Sequence, residues 1–249
     1  MADLTVKYFS AALNRTVTFG MYIPDGASRP MKTLFLLHGY TMSGFNWLPA
    51  GVADKYGFAV VYSDAENSFW LDRASTGHKY CTFAGKELPD FVNRTFGLAN
   101  DAADTYIMGF SMGGFGALHT AFTYPERFGK TAALSSALIV HEVAGMKPGS
   151  DNGHANYEYY REVFGEPSGV LAGSANPETL VDRLLAEGKR LPDIYMSCGT
   201  EDFLLENNRE FHRFLESRGV PHVYRESPGV HDFTFWHRYA AEFAEAMFG

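Results

Sequence analysis

The hexapeptide Gly109-Phe110-Ser111-Met112-Gly113-Gly114 decides the fold. It follows the apolar run Thr105-Tyr106-Ile107-Met108 and opens a stretch of small and apolar residues, 112–123. The first reads as a strand buried on both faces, the second as a helix. A serine on such a sharp strand-to-helix turn has strained backbone angles, so the residues two positions away on either side must be small. Gly109 and Gly113 meet that need, and Gly114 adds a third small residue. The turn lifts the hydroxyl off the sheet and points the positive end of the helix at a centre where negative charge develops. The pentapeptide alone arises by chance. Its place between strand and helix is what makes Ser111 a candidate nucleophile.

Outward from this point the chain alternates. Residues 4–9 and 15–23 read as two strands of an antiparallel hairpin turning near Asn14, and Pro24-Asp25-Gly26 ends them. Apolar runs at 33–37, 58–62, 131–134 and 194–196, and a last one at 220–226, read as further strands. Helical spacing of apolar residues marks 79–96, 204–218 and the C-terminal stretch with Trp236, Tyr239, Phe243 and Met247. This order predicts an α/β fold: a mostly parallel, eight-stranded sheet with helices on both faces, in one domain over 1–249. One connection is long. The stretch 136–192 contains the polar piece Lys147–Gly153 and the aromatic piece Tyr157-Glu158-Tyr159-Tyr160, and it reads as a cap-like insertion over the C-terminal edge of the sheet.

Serine at neutral pH needs a base within hydrogen-bond reach. Of nine histidines, His231 has the fitting position, in the loop Ser227-Pro228-Gly229-Val230-His231-Asp232-Phe233 between the last strand and the last helix. Loops at the C-terminal ends of parallel strands are where such sheets carry chemistry. His222 is the runner-up. Cys198-Gly199-Thr200-Glu201-Asp202-Phe203 follows the penultimate strand directly, and Asp202 is the candidate to orient the imidazole. Glu201 and Asp232 are the alternatives, Asp232 reading also as a cap for the final helix. Asp202 has a bland reading too, as a cap of the helix near Phe203. The chain order Ser, Asp, His is that of the α/β-hydrolase fold and not of the chymotrypsin or subtilisin folds. The oxyanion needs two preorganised donors. The backbone N–H of Met112 is one candidate, and that of Tyr40, in the loop His38-Gly39-Tyr40-Thr41-Met42-Ser43-Gly44, is the other.

These segments together resemble the esterase D branch of the α/β-hydrolases. Leu36-Leu37-His38-Gly39 with Trp47 downstream, Lys86-Glu87-Leu88-Pro89, Gly109–Gly114, Gly199-Thr200-Glu201-Asp202-Phe203-Leu204 and Gly229-Val230-His231-Asp232-Phe233 carry the resemblance. The branch includes bacterial tributyrin-type esterases, S-formylglutathione hydrolases, and the acetyl- and feruloyl-esterases of carbohydrate esterase family 1. It implies hydrolysis of short acyl or hydroxycinnamoyl esters without a cofactor. The oxyanion loop His38-Gly39-Tyr40 departs from that of S-formylglutathione hydrolases, which ranks that activity lower. Residues 136–192 match least.

Composition narrows the partners. The net charge of -8 disfavours nucleic acid and anionic membranes, which reward basic patches. No apolar run has the length of about 18 residues that a membrane span needs. The polar start Met1-Ala2-Asp3-Leu4-Thr5-Val6-Lys7 shows no signal-peptide pattern, and two cysteines, Cys81 and Cys198, read as reduced thiols of a cytoplasmic protein. No His or Cys pair has metal-ligand spacing. Aromatic residues reach 15%. Most belong to the core, but Tyr40, Phe69 and Trp70 fall in loops at the catalytic edge, as do Trp47, Phe110, Phe203, Tyr157 and Tyr160, the candidates for substrate binding. The expected partner is a small-molecule or carbohydrate-linked ester, and a homo-oligomer is compatible with the sequence. A thioesterase or small peptidase with the same triad, and an inactive binding protein on the same fold, are the competing readings.

Overall fold

The computed structural model describes residues 1–26 and 30–249. Its centre is an eight-stranded sheet in the order β1-β2-β4-β3-β5-β6-β7-β8. The strands are β1 (Ala2–Ser10), β2 (Arg15–Ile23), β3 (Thr33–Leu37), β4 (Ala59–Ser63), β5 (Thr105–Phe110), β6 (Lys130–Leu134), β7 (Asp193–Gly199) and β8 (His222–Ser227). β1 pairs antiparallel with β2, and β2 antiparallel with β4; every pairing from β4 through β8 is parallel. The eight strands read from the sequence are these eight, with ends shifted by a few residues. Strand order reverses at β3, where the chain first leaves and then returns to the middle of the sheet.

The helices are α1 (Ala50–Tyr56), α2 (Tyr80–Thr82), α3 (Leu88–Phe96), α4 (Met112–Thr123), α5 (Val140–Gly145), α6 (Tyr157–Phe164), α7 (Pro177–Ala186), α8 (Leu205–Ser217) and α9 (Phe233–Phe248). A wide π-helical turn over Phe83–Glu87 joins α2 to α3, so the segment expected to be one helix is continuous but underwound in the middle. Side chains alternate across the sheet as the strand period requires. Phe35, Leu37, Val61 and Ile107 enter one buried cluster with Phe115, Leu118 and Phe122 of α4, Val181 of α7 and Leu215 of α8. Leu34, Leu36, Val60 and Met108 enter the other with Ala53 of α1 and Trp236, Phe243 and Met247 of α9. Burial on both faces is why β3–β6 read as unbroken apolar runs.

The long insertion has two parts. α5, α6 and the loop between them border the cavity over Ser111 through Glu142, Asn152, His154 and Tyr160. α7 packs along α4, and its Leu180, Val181 and Leu184 enter the same buried cluster as Val143 of α5 and Val163 of α6. α7, with the i, i+1, i+4 apolar spacing of an ordinary amphipathic helix, gives no residue to the cavity over Ser111. Among the described residues, no helix is long and apolar enough to cross a membrane.

Candidate active site

β5 ends at Phe110, and Ser111 takes φ 55° and ψ -121° before α4 begins at Met112. This is backbone that an L-residue adopts only under constraint. The neighbouring glycines are the constraint. A Cβ on Gly109 would stand 2.1 Å from the Gly113 carbonyl oxygen, and one on Gly113 would stand 2.1 Å from that of Leu37. The Ser111 N–H donates to the Leu134 carbonyl at 2.9 Å, and its own carbonyl accepts from Phe115 and Ala137. The elbow is thus anchored to β6 and to the segment that follows it.

His231 Nε2 lies 2.9 Å from Ser111 Oγ. On the other side of the ring, Nδ1 is 2.9 Å from Asp202 Oδ2 and 3.1 Å from Oδ1. With Asp202 ionised, Nδ1 carries the proton and Nε2 presents its lone pair to the serine hydroxyl. The Asp202 side chain is fully buried. Burial pushes its pKa up, but the bond and charge of His231 and the Leu204 N–H more than offset this, and the net direction is down. The Leu204 N–H donates to Oδ1 at 2.9 Å in the turn before α8, but the N-cap of α8 is Leu204 itself and has no side-chain cap, so Asp202 acts as the partner of His231 and not as a helix cap. Asp232 is the N-cap of α9, accepting from the Phe235 N–H at 3.0 Å. Glu201 faces away from the ring and accepts the Gly229 N–H. His222 lies elsewhere, its Nε2 2.7 Å from His212 Nδ1.

The loop after β3 passes close beneath this array. A Cβ on Gly39 would lie 3.1 Å from the Phe110 ring and 3.4 Å from Ser111 Cβ, so the loop runs tightly against the elbow just before Tyr40, which lines the cavity. Thr41 adopts φ 58° and its N–H donates to Asn67 Oδ1 at 2.7 Å. His38 is buried, with Nδ1 2.8 Å from the Gly39 carbonyl and Nε2 accepting the Ala65 N–H at 2.9 Å. Both bonds suit a neutral ring, and burial lowers the His38 pKa in the same sense. The indole N–H of Trp70 donates to the His38 carbonyl at 3.2 Å. The N–H of Met112, first residue of its helix, has no partner one turn back.

A cavity of about 420 Å³ opens over Ser111 and His231. Phe203, 62% exposed, and Tyr160 line it, as expected of them. Trp47, Phe110 and Tyr157 do not. Phe110 points to the opposite face of β5 and stacks on Trp236 at 4.6 Å between ring centres. Trp47 packs edge-on against Phe110 at 5.4 Å, a support beneath the site instead of a wall of it. Tyr157 is buried and its hydroxyl donates to Glu166 at 2.7 Å. The walls instead include Met42, Phe69, Ile139 and Trp236. Trp236 is read from the sequence as core only; it is buried, yet its ring meets His231 at 4.9 Å. Phe69 turns into the cavity because it and Trp70 both take positive φ, 51° and 55°. No local sequence signal announces that for two bulky aromatics.

A doubly wound sheet with a serine elbow after β5, an acid after β7 and a histidine after β8 defines an α/β-hydrolase. Residues 10–246 match the model of the family described as "Esterase". The chain belongs to that esterase family and is an ester hydrolase. It is 36% identical over 261 residues to an acetyl esterase of Caldicellulosiruptor saccharolyticus, covering 99% of this chain and 98% of that one. Among solved structures it is similar to FphF, a fluorophosphonate-binding serine hydrolase of Staphylococcus aureus, with TM-score 0.87, 25% identity, and coverage of 100% and 98%. It is also similar to the S-formylglutathione hydrolase FrmB of Staphylococcus aureus, with TM-score 0.86, 25% identity, and coverage of 100% and 99%.

Proposed function

We propose that this esterase hydrolyses short-chain acyl esters, acetyl esters foremost, through an acyl-enzyme on Ser111. The observation that carries the mechanism is the unbroken line Asp202–His231–Ser111, with both contacts at 2.9 Å. His231 Nε2 takes the hydroxyl proton as Oγ attacks the carbonyl carbon. The tetrahedral oxyanion is held by the N–H groups of Met112 and Tyr40. As the intermediate collapses, His231 returns the proton to the departing alcohol. Water then enters, gives its proton to His231 and releases the acid, restoring Ser111. Asp202 stays ionised and stabilises the imidazolium.

The acetyl preference is supported by the similarity to an acetyl esterase over nearly the whole of both chains. A second reading, hydroxycinnamoyl esters, is supported by the aromatic walls Tyr40, Phe69, Phe203 and Trp236. A thioester would use the same acyl step, and the likeness to an S-formylglutathione hydrolase keeps that chemistry in view. A cytoplasmic setting is supported by Cys81 and Cys198, both free and buried.

The test is steady-state hydrolysis of p-nitrophenyl acetate, p-nitrophenyl butyrate, methyl ferulate and acetylated xylan by wild type and Ser111→Ala. Acetyl esters turn over best, and the mutant loses at least about a thousandfold in kcat. Activity surviving in Ser111→Ala would refute the assignment of the nucleophile. Preference for methyl ferulate would move the second reading to the front.

A further inference from the structure

The cavity over Ser111 is lined by apolar, aromatic and neutral polar groups with one exception. Among the described lining residues there is no lysine or arginine, and Glu142 is the sole carboxylate. Glu142 lies in the first turn of α5, on the cap side of the cavity. One of its oxygens, Oε1, accepts from Asn207 Nδ2 at 2.8 Å, while Oε2 has no hydrogen-bond partner among the described residues. The neighbouring polar group is already committed. Asn152 Oδ1 accepts the N–H groups of His154 and Ala155, and its Nδ2 donates to the Tyr160 hydroxyl at 3.1 Å. Glu142 is therefore the strongest uncommitted acceptor facing the substrate.

We propose that Glu142 is a charge-selecting specificity residue. It turns the site against leaving groups that carry a carboxylate and favours neutral, hydroxyl-bearing or cationic ones. This rests on the esterase reading of Ser111, since the leaving group is defined by it. The physical basis is Coulombic. Glu142 is exposed at the cap-side rim of this open cavity, and a charge on a leaving group that rests against α5 comes within Coulombic reach of it. Water at the open rim screens this charge in part, while the buried Ile139 and Leu204 lower the dielectric on the protein side. Two like charges about 7 Å apart at an effective dielectric of about 40 lose roughly five- to tenfold in affinity. A hydroxyl, by contrast, donates to Oε2 and gains a charge-assisted bond. Peptide thiols bearing free carboxylates, the leaving groups of glutathione thioesters, fall on the disfavoured side. The molecule's net charge of -8 acts in the same sense but is common to every variant compared below up to one or two charges.

The experiment uses three phenyl acetates bearing at the meta position a hydroxymethyl, a carboxymethyl or a trimethylammoniomethyl group. Wild type, Glu142→Gln and Glu142→Lys are compared by the ratio of kcat/KM for each charged ester to that for the neutral one. This cancels differences in folding yield and in intrinsic ester reactivity. The anionic-to-neutral ratio rises about five- to tenfold in Glu142→Gln, further in Glu142→Lys, and the cationic-to-neutral ratio falls. Both changes shrink in about 0.5 M salt. Ratios within about twofold of wild type in both variants would overturn the proposal while leaving the esterase reading intact. Were no ester hydrolysed, the same ratios read as dissociation constants in a Ser111→Ala background, with and without Glu142→Lys, still decide it.

Discussion

Glu201 and Gly229 are joined twice: Glu201 Oε2 accepts the Gly229 N–H at 2.6 Å, and the Glu201 N–H donates to the Gly229 carbonyl at 3.1 Å. This pair ties the loop that carries Asp202 to the loop that carries His231. The approach is so close that a Cβ on Gly199 would lie 2.0 Å from the Gly229 oxygen. The Gly229 N–H and the Thr200 hydroxyl hold the Glu201 carboxyl below its usual pKa, as expected of an anion with fixed donors. Glu201→Ala is expected to lower kcat about tenfold by loosening the spacing of His231 to Asp202. Glu201→Gln, which keeps an acceptor, recovers most of it. Kinetics of both variants on p-nitrophenyl acetate check this; equal activity of Glu201→Ala and wild type would show the clamp to be dispensable.

Ser111 stores strain that function requires. Its φ of 55° with ψ of -121° lies where glycine is at ease and other residues are not. Ser111→Gly should therefore abolish hydrolysis yet raise unfolding free energy by about 1 kcal/mol. Gly113→Ala should do the opposite, costing about 2 kcal/mol or more, because its methyl group would strike the Leu37 carbonyl. Urea unfolding of the two variants beside wild type measures both signs.

Acid stability should depend on a histidine outside the site. His119 on α4 is buried, with Nε2 2.8 Å from the Ser174 carbonyl and Nδ1 3.6 Å from Cys81 Sγ. Burial pushes its pKa down to about 4; Asp72 opposes this and Arg183 adds to it. Between the ordinary value of 6.5 and about 4 the unfolded chain holds a proton that the folded chain refuses. Stability therefore falls as pH drops through that window, by up to about 1.4 kcal/mol per pH unit from this group. His38, also lowered by burial, acts in the same direction. Urea midpoints at about pH 7, 5.5 and 4.5 should fall less steeply in His119→Gln than in wild type. Parallel slopes would contradict the assignment.

Two aromatics chosen from the same reasoning should part company on mutation. Phe203 is 62% exposed at the cavity mouth, 4.6 Å from the His231 ring, and Phe203→Ala should raise KM severalfold with little change in Tm. Trp47 is 8% exposed and wedged among Phe110, Phe233 and His237. Trp47→Ala should cost about 3 kcal/mol of stability and alter KM less. Thermal melts and saturation curves of the pair separate the roles.

The contrast between Phe203 and Trp47 marks the boundary between what the chain's residues determine by themselves and what folding in three dimensions adds. The sheet, its two buried faces and the order Ser111, Asp202, His231 were legible because each rests on a local rule. Strands covered on both sides must be apolar throughout, a serine elbow must have glycines two residues away, and parallel strands bring their following loops to one edge. The acid was legible as far as the pair Glu201-Asp202 in the loop after the penultimate strand β7, and the fold turns Asp202 to the His231 ring and Glu201 to the Gly229 N–H. The direction of a loop side chain follows no such rule. Phe110 faces away from the site because alternation along β5 turns it to the other face, while Phe69 faces in because two consecutive aromatics adopt positive φ. α7 stays out of the cavity because its apolar side packs along α4, and Glu142 reaches the cavity because α5 borders it. Contacts between segments far apart in the chain decided these placements. They depend on which surfaces remain uncovered once the sheet has formed, and that is a property of the assembled fold.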